Sequence, residues 1–235
     1  MICGNNTIDY FFLSRIRSWQ LAGFLILLWG LLEGIFNRWV DDGEGFIRFY
    51  TNDKQNYGSR FWTWNDMILK PTDYVEAQVK KISGNPNWGY GIIFCLQEQE
   101  DKQFYGVLLD TTGYYLILKA AGNTWTYDLA GQKKWYHSAN LYTGYNTINT
   151  IKVVPSSEKP STFIVYFNGK EETEFSDSAY SGGKFGFIAT VGDAEDEDFP
   201  NKPVDIRFKP LHFKTPKQVG TTPQNFMTNS SQLKN

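Results

Sequence analysis

The sequence predicts an all-β protein: two antiparallel sheets packed as a sandwich, preceded by one N-terminal hydrophobic helix. Three observations predict it. About a dozen short segments between residues 45 and 213 alternate apolar and polar side chains with period two. Turn-forming Gly and Asn residues separate them. The only strongly apolar run lies at the N-terminus, and no helical periodicity recurs after it.

That run is "RIRSWQLAGFLILLWGLLEGIF", Arg15 to Phe36. Arg15 and Arg17 precede an apolar stretch from Leu21 to Leu32 that Glu33 stops. A basic start and an apolar middle are the marks of an export signal. The run from Trp19 to Phe36 is also just long enough to span a bilayer as an uncleaved anchor. No small-x-small cleavage site follows, so a signal peptide and an anchor both stay open. Either way the arginines remain inside and the chain from Trp39 onward faces outward. Residues 1–36 are therefore expected as signal or anchor, 37–213 as one sandwich domain, and 214–235, polar and patternless, as a flexible tail.

The expected strands follow in order: Gly45–Tyr50, Tyr57–Trp62, Asp73–Ile82, Tyr90–Gln97, Phe104–Asp110, Tyr114–Lys119 and Thr124–Leu129. After them come Thr147–Val154, Thr162–Asn168, Lys170–Phe175, Lys184–Val191 and Val204–Phe213. Val75, Ala77 and Val79 alternate with Glu76, Gln78 and Lys80, as on a half-buried strand with one wet face. Phe163, Val165 and Phe167 repeat the pattern, as do Phe185, Phe187 and Ala189. "TTG" (Thr111–Gly113), "AGN" (Ala121–Asn123) and "FNGK" (Phe167–Lys170) put Gly or Asn where a tight turn needs positive φ.

One stretch departs from simple alternation. In "WGYGIIFCLQEQEDKQFYGVLLDTTGYYLIL", Trp88 to Leu118, both faces of each strand are apolar. Tyr90, Ile92, Phe94 and Leu96 lie on one face; Gly91, Ile93 and Cys95 lie on the other. Such strands are central and covered twice, once by the partner sheet and once by loops, by N-terminal strands or by a ligand. Trp62 and Trp64, on one face of their strand, are expected in that second cover as core. Cys95 is expected as a buried free thiol.

These residues resemble the concanavalin A-like lectin/glucanase superfamily, in its laminin G-like and bacterial secreted branches. The resemblance runs from about Asp73 to Lys209. It is carried by the Trp88–Leu118 stretch, "NTINTIKVV", "FIVYFNGKEETEF", "GGKFGFIAT" and "VDIRF". It implies a jelly-roll sandwich, and says little about ligand.

Composition excludes one partner class. The formal net charge is -2 across 235 residues, so no basic footprint favours nucleic acid. Aromatics make up 17% of the chain, and "WTYDLAGQKKWYHSANLYTGYN" (Trp125–Asn146) sets them beside polar groups. Sugars present apolar C–H faces ringed by hydroxyls, which flat aromatic platforms with hydrogen-bonding neighbours suit. Trp88, Trp125, Trp135, Tyr136, His137 and Tyr142 are the candidate carbohydrate-binding residues, with Asn140 and Lys134 nearby. The competing reading packs these aromatics onto the sheet edge.

Glucanases of the resembled superfamily carry alternating carboxylates on one strand. Retaining hydrolysis needs two carboxyls about 5 Å apart. The nearest match here, "GDAEDEDFP" (Gly192–Pro200), has no apolar residues between its acids and reads as a loop. Asp193, Glu195, Asp196 and Asp198 in it are candidate calcium ligands, with a solvated charged loop as the competing reading. His137 and His212, the only histidines, have no partner at zinc spacing. The functional expectation is an exported, non-catalytic glycan-binding module at or outside a membrane. A glycoside hydrolase acting on a disaccharide or glucan, and a protein-binding adhesion module, are the alternatives.

Overall fold

The computed structural model describes residues 38–41, 45–52, 56, 59–97, 103–129, 135–191, 203–212 and 227–229. Of residues 38–41, 65, 66, 212 and 227–229 it describes the backbone alone. The expected signal or anchor segment, the acidic run Asp193–Asp198, Lys134 and nearly all of the expected tail lie outside the described residues.

The described chain is two antiparallel sheets, as the period-two pattern requires. One has seven strands in the order β1 (Arg38–Asp41), β2 (Ile47–Thr51), β14 (Val204–His212), β4 (Val75–Ser83), β10 (Asn149–Pro155), β11 (Thr162–Phe167) and β12 (Lys170–Ser176). The other orders β15 (Met227–Asn229), β3 (Arg60–Leu69), β13 (Gly183–Thr190), β5 (Tyr90–Leu96), β6 (Gln103–Leu109), β7 (Tyr114–Ala121) and β8 (Thr124–Thr126). A short β9 (Tyr136–His137) adds to β7.

Sequence expectation and structure agree on the strands they share, with ends shifted by a few residues. β3 runs on through Trp64 to Leu69, well past the expected end at Trp62. β1, β9 and β15 were not expected. They are short or carry no alternation of their own, and each exists because a neighbouring strand offers unpaired backbone groups. β15 forms within the stretch read as tail: Met227, Thr228 and Asn229 pair with Trp64, Thr63 and Trp62 along the open edge of β3.

Between the sheets lies a core of aliphatic and Phe/Tyr side chains. Phe49, Val79, Tyr90, Ile92, Tyr105, Val107, Ile151, Val165, Phe187, Ile206 and Phe208 are all within it and at most 1% exposed. Phe94, Tyr105, Phe163 and Phe175 interlock there at centroid distances of 5.3 to 6.4 Å. Such tilted, edge-on and stacked pairs add roughly 0.5–1.5 kcal/mol each beyond their burial.

The doubly apolar stretch is now explained. β5 is buried at every residue, β6 at all but its first, and β7 from Tyr115 to Leu118. On the outer face of this sheet sits a second apolar layer: Trp62, Trp64, Ile93, Leu96, Phe104, Leu108, Leu116, Leu118, Ala120 and Ile188. Trp125, Tyr127 and Trp135 pack over it. Trp62 and Trp64 are core, as expected. The seven-stranded sheet differs: β4 and β10 alternate buried and half-exposed residues, so its outer face carries no such layer.

The turns use the residues the sequence supplies. Asn168 and Gly169 join β11 to β12 with φ of 52° and 81°, the two positive angles a tight two-residue hairpin needs. Gly186 marks a bulge where β13 shifts register against both β3 and β5. A Cβ there would stand 1.9 Å from the Thr63 carbonyl oxygen, so only glycine fits.

Candidate functional site

A cleft of about 350 Å³ opens on the outer face of the eight-stranded sheet. Its floor follows from alternation along two paired strands. Leu116 and Leu118 point outward while Tyr115 and Ile117 point into the sandwich, and Leu108 of β6 stands opposite Leu116. Arg60 opens β3 and Thr190 closes β13; the register pairs them, bringing two polar side chains to one rim. Trp88 and Gly89 from the loop before β5, Tyr127 after β8 and Trp135 before β9 complete the lining.

The rings are held in place. Trp125 and Tyr127 lie nearly parallel, 6.3 Å apart at 15°. The Arg60 guanidinium stands 5.1 Å from the Trp125 ring centroid and 5.7 Å from that of Tyr127. A cation on an aromatic face gains about 0.5–1 kcal/mol at an exposed site and fixes the side chain's direction. Gly89 admits Trp135: a Cβ there would meet Trp135 Cη2 at 2.9 Å and Leu108 Cδ2 at 2.8 Å.

The loop carrying Trp88, "SGNPNWG", is fastened carbonyl by carbonyl. The Tyr145 hydroxyl donates to Gly84 O. Thr111 donates its N–H and its hydroxyl to Pro86 O, at 2.9 and 3.0 Å. Thr190 does the same for Gly89 O, at 3.0 and 2.6 Å. The Lys81 ammonium takes two more, donating to Asn85 O and, at 2.9 Å, to Trp88 O. Asn85 Oδ1 accepts the Asn87 N–H at 2.9 Å, which tightens the turn from within.

Lys81 itself is fully buried, on β4. Burial lowers its pKa from the ordinary 10.5 to about 7, and the Asp110 carboxylate opposes that shift. Asp110 is anchored by the Thr112 and Tyr114 N–H groups, at 2.8 and 2.9 Å.

Of the six aromatic and histidine candidates read from sequence, Trp88 and Trp135 line the cleft. Trp125 backs it, edge-on to Trp62 and Phe104. His137 lies on the same sheet face but beyond the lining, exposed, with its ring 5.2 Å from that of Tyr114. Tyr136 lies on the other face, stacked 5.5 Å from Tyr115 against the inner core. Tyr142 is 60% exposed in the loop before β10, its N–H and carbonyl clasped by the Asn149 side chain. Asn140 donates to Glu172 instead. The calcium candidates Asp193, Glu195, Asp196 and Asp198 lie outside the described residues. Arg60, Tyr127, Thr190 and Gly89 were missed; only Tyr127, two residues from Trp125, carried a signal.

No family model matches the sequence, and a search of curated proteins finds no match. Solved structures similar in fold include a carbohydrate-binding module from Bacillus subtilis: 15% identity over 74% of this chain and 89% of that one, TM-score 0.47. A β-glucanase from Bacillus licheniformis is 10% identical over 73% of this chain and 79% of its own, TM-score 0.48. A legume lectin-like domain from Entamoeba histolytica is 12% identical over 76% and 88%, TM-score 0.46. At these identities the likeness is one of fold alone.

Proposed function

We infer that this chain is a non-catalytic carbohydrate-binding domain that takes a glycan in the outer-face cleft. One observation carries the reading: Trp88, Trp135 and Tyr127 wall a cleft with a leucine floor and an Arg60–Thr190 rim. Indole and phenol faces suit the C–H face of a sugar ring, while the rim offers hydrogen bonds to hydroxyls. A hydrolase would need a pair of carboxyl groups facing the sugar. Among the described residues the polar groups of the lining are the Arg60 guanidinium, the Tyr127 and Thr190 hydroxyls and two indole N–H groups, a set that favours holding over cutting.

The test is a glycan array with the full chain, with Trp88→Ala and Trp135→Ala as variants. Each substitution is expected to weaken binding by about 1–3 kcal/mol while the fold survives. Equal signal from wild type and both variants would remove the cleft from consideration. Release of reducing ends from a bound glycan would move the reading to the hydrolase.

A further inference from the structure

We propose that Lys81 is the positioning residue of the cleft: its buried ammonium, through the carbonyls of Asn85 and Trp88, sets where the Trp88 indole stands. The inference rests on the binding reading only in giving Trp88's position a purpose.

A lysine with no exposed surface is an expensive way to fill a core, since a charge taken out of water costs several kcal/mol unless it is compensated. Here the compensation is specific. Both hydrogen bonds of the ammonium go to the one loop that bears Trp88, at carbonyls that the Thr111, Thr190 and Tyr145 clasps do not reach. Trp88 O is one of them, so the ammonium is one peptide unit from the cleft wall. Charge-assisted bonds are roughly twice as strong as neutral ones. Removing the charge loosens the part of the loop that bears the indole and leaves the Pro86 and Gly89 anchors in place.

The surroundings of Lys81 isolate this effect. The Tyr90 ring of β5 lies 5.7 Å from Nζ, and burial pushes the Tyr90 hydroxyl upward, with Asp110 adding to the push. Asp110, in the turn between β6 and β7, is the carboxylate that acts on Lys81. On β14, Ile206 pairs with Lys81, and the neighbouring Asp205 is held by two bonds from Arg48, at 3.1 and 2.9 Å. The Tyr145 hydroxyl, on Gly84 O, is likewise pushed up by burial.

The experiment follows the ¹⁵N-labelled indole resonances of the full chain with pH, Trp88 being identified by Trp88→Phe. In the wild type the Trp88 signal is expected to move by more than its linewidth with a midpoint near pH 7. In Lys81→Met it should stand away from its wild-type position and not titrate. A wild-type signal that stays still through neutral pH, or a folded Lys81→Met whose Trp88 signal matches the wild type, overturns the proposal. If Lys81→Met does not fold, the Lys81 ¹⁵Nζ resonance is titrated in the wild type. Matching midpoints for Nζ and Trp88 support the proposal and differing ones overturn it. None of these readouts needs a ligand. A blank glycan array beside a moving Trp88 signal retires the binding reading and leaves the positioning role standing.

Discussion

At the scale of single residues, two buried polar groups behave oppositely. Trp62 is fully buried, and its indole N–H has no partner among the described residues. An unpaired buried donor costs about 1–3 kcal/mol. That is comparable with the cost of shrinking a large buried ring partway. Trp62→Phe is therefore expected to stay within about 1 kcal/mol of wild-type stability by urea titration; a loss near 4 kcal/mol would mean the indole is bonded after all. Lys81 is well bonded but charged. Its folded pKa, about 7, lies below the ordinary 10.5. Between those values the unfolded chain holds more protons, so stability climbs as pH rises through the window and is lost as pH falls through about 7. The urea midpoint should thus rise from about pH 6.5 to about pH 9, and Lys81→Met should lack that rise. Cys95 needs no such care: burial pushes its thiol up to about 12, which keeps it inert to alkylation at neutral pH.

At the scale of elements, the same residue type means different things in different strands and turns. Gly122, in the turn between β7 and β8, has φ of 61° and open space around its would-be Cβ. Gly186 sits in a bulge with a backbone carbonyl where a Cβ would go. Gly122→Ala should cost about 1 kcal/mol and Gly186→Ala about 3 kcal/mol or more, a gap that thermal melts resolve easily. Equal costs would mean that the bulge relaxes. Element geometry also explains what the sequence could and could not tell. Alternation in β4, β10 and β11, and "NG" before β12, were legible because each is a local rule. The union of Arg60 with Thr190 was not, because it depends on β3 pairing with β13 across most of the chain. Tyr136 and His137 read as one cluster with Trp135, but a strand sends adjacent side chains to opposite faces, and β9 divides them.

At the scale of the whole sandwich, the division of labour among aromatics is the main result. The five tryptophans whose side chains the structure describes, Trp62, Trp64, Trp88, Trp125 and Trp135, all belong to the outer layer or its cleft. The space between the sheets is filled by Phe, Tyr and aliphatic side chains. The two layers share β5, β6 and β7, so neither can open while the other stays intact. Unfolding followed by tryptophan emission, in which five of the eight tryptophans report on the outer layer, should coincide with far-ultraviolet circular dichroism, which reads both sheets. An emission change at clearly lower denaturant would show that the outer layer peels away first. The double apolar face was visible in "YGIIFCL" and "YYLIL". Of its cover, Trp62 and Trp64 were legible as a pair on one strand face, whereas the share of Trp125, Tyr127 and Trp135 was not, because they reach the layer only once the strands are paired.

The clasped loop has a kinetic consequence. With the carbonyls of Gly84, Asn85, Pro86, Trp88 and Gly89 each already engaged, a sugar that binds as proposed would meet an indole that has no search left to make. Stopped-flow association should then be a single phase whose rate grows in proportion to ligand concentration, without the plateau that a slow rearrangement imposes.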